Sequence, residues 1–80
     1  MKSIVEFLKT MQNDNETIVI VVQVTDCRNV TSEYDYLRKI GFRFDQVEAD
    51  YIRAEYHTTD YDKAISIVDD LRLNGYTFEE

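Results

Sequence analysis

The chain has 80 residues, 44% of them hydrophobic, and sixteen acidic against nine basic side chains give it a net charge of −7. This length is enough for one domain, spanning residues 1–80, and too short for two. The charge disfavours direct binding to nucleic acid or to anionic membranes, because the phosphates of both repel an acidic protein. The longest apolar run, residues 18–22, is too short to cross a bilayer.

The N-terminal segment predicts a short helix. Ser3 and Glu6 fit a capping box, in which a hydroxyl and a carboxylate satisfy free backbone N–H groups at a helix start. The apolar residues there recur at helical spacing: Ile4, Phe7, Leu8 and Met11. We therefore expect an amphipathic helix over residues 4–12, ended by a polar loop that reaches residue 16.

Residues 17–25 form the clearest strand of the sequence, since most of them are β-branched. One face would carry four apolar residues: Ile18, Ile20, Val22 and Val24. The other face has Val19 and Val21 at its centre. A strand that is apolar on both faces belongs in the middle of a sheet.

The second half of the chain predicts two helices and three shorter strands. Thr31 or Ser32 would cap the first of these helices, which ends at Gly41. The residues of this helix that face the core would be Tyr34, Leu37 and Ile40. Alternation favours strands over residues 42–45 and 51–58, joined by a turn at 48–50. Thr59 or Asp60 would cap a last helix, with an edge strand at 76–78. The inward positions of that helix would be Tyr61, Ala64, Ile65, Val68 and Leu71.

From residue 17 onward this order is the split β-α-β-β-α-β order of ferredoxin-like folds. We therefore predict an α+β, ferredoxin-like core over residues 17–80 with an antiparallel sheet, preceded by the N-terminal helix of residues 1–16. Both helices would cover one sheet face, with the strands at 17–25 and 51–58 adjacent. Val19 and Val21 would lie on the opposite face, where the N-terminal helix or a second copy would cover them, so a homodimer through this face is an expectation.

The sequence contains few residues that indicate a catalytic site. Cys27 is the single cysteine, which excludes an intrachain disulfide, and with no signal-peptide pattern it indicates a cytoplasmic location. A nucleophilic Cys27 would need a base, and the only histidine, His57, would lie roughly 25 Å away at the other end of an antiparallel strand. A structural or incidental cysteine is therefore favoured.

Residues 57–62 allow two interpretations. His57, Asp60 and Asp62 have a spacing that a divalent metal could use. Helix capping is simpler, because Asp60 or Thr59 would cap the last helix and Asp62 would complement its positive end. Since no glycine-rich phosphate loop, His-Glu-x-x-His or Cys-x-x-Cys motif is present, we assign no catalytic, cofactor-binding or metal-binding residue.

Acidity is uneven, with twelve of the sixteen acids after residue 32. Acids beside tyrosines make a usable protein-binding surface, because tyrosine contributes buried area while carboxylates attract a basic partner. The alternative is a solvated surface with tyrosines half in the core. The candidate partner-binding residues are Glu33, Asp35, Asp45, Glu48, Asp50, Asp60, Asp62, Asp69 and Asp70, with Tyr34, Tyr36, Tyr51 and Tyr61.

These observations favour a non-enzymatic interaction module for a basic protein. A more specific hypothesis is that the chain occupies the nucleic-acid site of its partner, as small inhibitors from phages or mobile elements do. The alternative is a small-ligand-sensing regulatory domain that acts as a homodimer. Ferredoxin-like sensors of that kind often have glycine after the first strand, and residues 26–30 contain none.

Overall fold

The computed structural model describes residues 1–12, 15–25 and 30–79. The elements in chain order are β1 (Lys2–Gln12), β2 (Asn15–Thr25), α1 (Val30–Ile40), β3 (Arg43–Glu48), β4 (Tyr51–Thr58), α2 (Tyr61–Leu73) and β5 (Thr77–Phe78). The strands form one mixed sheet in the order β3-β4-β2-β1-β5. All neighbouring pairs are antiparallel except β1 and β5, which are parallel.

The predicted N-terminal helix is wrong, because residues 4–12 belong to β1. This strand pairs with β2 along its whole length, with a bulge between Ile4 and Glu6. A bulge adds one residue to a strand, so Ile4 and Phe7, three positions apart, both pack on the core. The bulge therefore reproduces the apolar spacing of a helix inside a strand.

The predicted ferredoxin-like topology is also wrong. β2 and β4 are adjacent, as expected, with Val22 paired to Ala54. However, β1 lies between β2 and the C-terminal strand, and that strand pairs in parallel with Ser3 and Ile4. A ferredoxin-like sheet would instead place the C-terminal strand directly beside β2. Here β1 takes that position, so the sheet has five strands instead of four.

Both helices pack on one face of the sheet. The buried core comprises Ile4, Ile18, Ile20, Val22, Val24, Leu37, Phe42, Ile52, Ala54, Ala64, Ile67, Val68, Leu71 and Tyr76. In α2 the predicted inward positions Tyr61 and Ile65 are wrong, since their exposed fractions are 49% and 37%. Ile67 is buried instead. The buried residues 64, 67, 68 and 71 recur at the three- and four-residue spacing of one helix face.

The helix ends follow local chemistry. α1 begins at Val30, so the predicted caps Thr31 and Ser32 lie within its first turn. Gly41 has a φ of +117°, which lets the Phe42 N–H turn back to the Leu37 carbonyl at 3.0 Å. Asp60 caps α2 by accepting a hydrogen bond of 3.2 Å from the Lys63 N–H. Neither helix of the described residues is long and apolar enough to span a membrane.

We call the sheet face opposite α1 and α2 the open face, because neither of these two helices covers it. Val21 lies on this face outside the core cluster, yet only 3% of it is exposed. Its strand neighbours in register are Glu6 and Glu55. Side chains of the same sheet therefore shield Val21 within one chain, and the homodimer through this face stays a prediction.

Candidate functional site

The candidate partner-binding residues do not form one continuous surface. Tyr36 on α1 contacts Asp70 on α2, whereas Glu33 on α1 contacts Tyr76 and Lys2. Asp60, Tyr61 and Asp62 lie at the start of α2. Another set lies around the turn between β3 and β4: Tyr34, Glu48, Asp50 and Tyr51. Asp45 lies apart from this set, at the bulge of β3 beside Arg53. Asp35 and Asp69 are exposed on the two helices.

Two tyrosine hydroxyls each donate a hydrogen bond to a carboxylate near the helices. The Tyr36 hydroxyl donates to Asp70 Oδ2 at 2.6 Å, and the Tyr76 hydroxyl donates to Glu33 Oε1 at 2.7 Å. Lys2 Nζ lies 3.6 Å from Glu33 Oε1 and 5.2 Å from the Tyr76 ring centre. We call this set the tyrosine network: Lys2, Glu33, Tyr36, Asp70, Asn74 and Tyr76.

The tyrosine network has a structural role. Burial, followed by the hydrogen bond with Asp70, raises the pKa of Tyr36 well above its usual range. Its hydroxyl is therefore a protonated donor at neutral pH, and it also accepts from the Asn74 side-chain amide at 3.2 Å. These contacts join α1 to α2, which leaves Glu33, Tyr36 and Asp70 less free to bind a partner.

The start of α2 supports the capping interpretation of residues 57–62. Asp60 caps the helix, and Asp62 is an acid in its first turn. The Tyr61 ring centre lies 4.9 Å from Lys9 Nζ. Across the described ranges, no three His, Cys, Asp or Glu side chains gather as metal ligands would.

Cys27 falls outside the described residues, so its predicted separation from His57 stays a prediction. In the β2–β4 register Thr25 pairs with Tyr51, whereas His57 pairs with Val19. His57 therefore lies at the far end of β4 from the strand end that leads to Cys27. Its Nε2 atom is 3.1 Å from Glu55 Oε1 on the same strand.

The turn between β3 and β4 forms a shallow depression beside the open face. Glu48 and Tyr51 pair directly, so only Ala49 and Asp50 connect the two strands. The depression has a volume of about 330 Å³ and is lined by Thr25, Gln46, Glu48, Asp50 and Tyr51. The Tyr51 hydroxyl accepts from Gln23 Nε2 at 3.1 Å, which helps to fix the ring.

A second groove lies on the helix side of the same turn. Its volume is about 300 Å³, and it is lined by Val30, Thr31, Tyr34, Val47, Glu48 and Ala49. The Tyr34 ring stacks on Phe44 with a centroid distance of 4.4 Å. We call this second concavity the apolar groove, and we call the neighbouring set of Glu48, Asp50 and Tyr51 the acidic end. Glu48 lines both concavities, so they meet at this residue.

Both carboxylates of the acidic end, Glu48 and Asp50, are exposed. Glu48 accepts a hydrogen bond of 3.2 Å from Gln46 Nε2, and within the described ranges neither Glu48 nor Asp50 forms an ion pair. Asp45 differs, because its Oδ2 lies 3.5 Å from Arg53 Nε. Two carboxylates beside the Tyr51 ring can attract and orient a cationic side chain.

Sequence reasoning missed several lining residues of this site. Val47 and Gln46 fell after the predicted strand of residues 42–45, whereas β3 continues to Glu48. The alternation of Phe44 and Val47 was hidden by a second bulge, between Phe44 and Gln46. A period-two search that allows one inserted residue would have found the longer strand.

Comparisons with known protein families, with curated proteins and with solved structures found no match for this chain. Function must therefore be inferred from geometry and charge. Of the sites described above, the acidic end combines exposed carboxylates, aromatic surface and concave shape. These are properties of a protein-binding surface, whereas acid–base catalysis requires a desolvated cleft.

Proposed function

We propose that this chain is a non-enzymatic protein-interaction module that binds a basic protein through the acidic end. The observation that carries the proposal is the position of Glu48 and Asp50, two carboxylates that form no ion pair with any residue the structure describes, beside Tyr51 in one depression. Carboxylates steer a basic partner toward the surface, and a tyrosine ring contributes contact area at low entropic cost.

The charge of the whole chain supports the same class of partner. A net charge of −7 on 80 residues attracts basic surfaces over several ångströms at low salt. Basic surfaces are typical of nucleic-acid-binding proteins, so the chain would compete with nucleic acid for its partner. That activity is the one that small inhibitors from phages or mobile elements have, and the single cysteine favours the cytoplasm as its location.

The test is affinity capture from a nuclease-treated lysate of the source or host cell, with three baits of matched design. The first bait is the wild type, and the second carries Glu48→Lys with Asp50→Lys. The third carries Asp69→Lys with Glu79→Lys, which changes the net charge equally but at α2 and beyond β5. We expect the wild type and the third bait to retain one basic protein that the second loses by about tenfold or more.

Salt provides the internal control for this capture. An electrostatic complex should dissociate as salt rises, because screening weakens the contacts of exposed charges. If the second and third baits recover the same proteins in the same amounts, the acidic end is not the binding surface. The proposed function would then be wrong, even if some protein binds elsewhere on the chain.

A further inference from the structure

The apolar groove exposes hydrophobic surface next to the acidic end. Val47 lies on the helix-facing side of β3, but β3 is the edge strand and 48% of Val47 remains exposed. Tyr34 forms the opposite wall, and its stacking on Phe44 holds the ring in place. The walls of the groove are therefore set before any partner binds, which lowers the entropic cost of binding.

Charge around the groove restricts what can occupy it. Its lining contains one charged residue, Glu48, and Asp50 follows two positions later in the turn. The exposed Leu73 on α2 differs in its surroundings, because Arg72 lines one concavity beside it and Asp70, which lines the other, accepts a hydrogen bond from Tyr36. An occupant of the apolar groove must supply an apolar group and, within a few ångströms of it, positive charge.

We infer that the basic partner inserts one apolar side chain into the apolar groove, with lysine or arginine on each side of it in the partner sequence. The flanking cations pair with Glu48 and Asp50, while the apolar side chain contacts Val47 and Tyr34. This inference rests on the proposed function and specifies the segment of the partner that makes the contact. A segment that is basic but has no apolar residue would leave the groove empty.

The test uses two fluorescein-labelled peptides measured by fluorescence anisotropy at low salt. The leucine probe is Lys-Lys-Lys-Leu-Lys-Lys-Lys, and the serine probe has serine at the centre. We expect the wild type to bind the leucine probe about tenfold more tightly, which corresponds to about 1.4 kcal/mol, because the groove buries part of the leucine side chain. Val47→Ser should remove most of that preference and leave the affinity for the serine probe unchanged.

Two variants separate this inference from the proposed function. Leu73→Ser, an apolar change at an exposed site far from the groove, should keep the preference for leucine. Glu48→Gln with Asp50→Asn should weaken both probes equally. Equal wild-type affinity for the two probes, with both weakened by the acid variant, would overturn the groove inference and leave the proposed function standing.

The remaining outcomes are equally decisive. If the acid variant binds both probes as the wild type does, the groove inference and the proposed function both fail. If sedimentation shows a dimer of the free chain that Val47→Ser dissociates, the groove is occupied by a second copy and the inference is overturned. Methyl chemical shifts of Val30, Val47 and Ala49 that move with the leucine probe alone would support it.

Discussion

The tyrosine network and the acidic end contain the same kinds of residue in opposite situations. In the network, Asp70 accepts from Tyr36, and Glu33 accepts from Tyr76 and lies beside Lys2. At the acidic end, Glu48 and Asp50 have no cationic neighbour among the described residues. A carboxylate beside a tyrosine is thus a structural element in one place and a candidate binding element in the other.

Position in the fold explains the difference. The tyrosine network lies where β1, both helices and the segment leading to β5 converge, so each polar group finds a partner from another element. The acidic end lies at the tip of the β3–β4 hairpin, on the edge of the sheet. Groups at such a tip have few neighbours within the chain and can bind a separate molecule.

The largest expected contrast between these two regions is in stability. Tyr76 is 1% exposed and belongs to the core, so Tyr76→Ala should lower the free energy of unfolding by about 3–5 kcal/mol. Tyr51 is half-buried at the hairpin, and Tyr51→Ala should cost about 1 kcal/mol. Urea unfolding monitored by circular dichroism measures both. Similar losses for the two variants would contradict the division into a structural and a binding region.

The tyrosine network should also have a smaller effect on the free energy of unfolding at alkaline pH, through Tyr36. Because the folded chain raises the pKa of Tyr36 above its ordinary value of about 10, the folded state holds this proton more tightly than the unfolded state. The resulting stabilisation is complete below pH 9 and is lost as the pH rises beyond about 10. Between pH 8 and pH 10.5, wild-type stability should therefore fall by about half a kcal/mol more than that of Tyr36→Phe. Identical pH dependence of the two proteins would argue against the Tyr36–Asp70 contact.

Local patterns predicted the elements whose side chains follow a regular period. The strand expected at residues 51–58 is confirmed as Tyr51–Thr58, and the capped last helix is confirmed with Asp60 as its cap. β1 was mistaken for a helix because its bulge places Ile4 and Phe7 on one face. With that strand unrecognised, the sheet order could not be deduced, since β5 pairs with β1.

The candidate site was only partly accessible from sequence. The pattern of acidic residues among tyrosines predicts Asp70 and Asp50 equally as partner-binding residues. In the structure Asp70 accepts a hydrogen bond from Tyr36 of the same chain. The partner of Asp70, Tyr36, is 34 positions away, and that of Glu33, Tyr76, is 43 positions away. Such contacts depend on the packing of the helices, which composition and periodicity do not encode. Lining residues such as Val47 require the sheet edge to be known.

The most direct test of the central claim is a nitrogen-15 NMR titration of the wild type with the leucine probe. If the acidic end is the binding surface, the largest amide shifts will be at Glu48, Asp50 and Tyr51, and Tyr36 and Asp70 will move little. The shifts should disappear in Glu48→Gln with Asp50→Asn. Shifts centred instead on the tyrosine network or on residues 60–62 at the start of α2 would contradict the account and move the binding surface there.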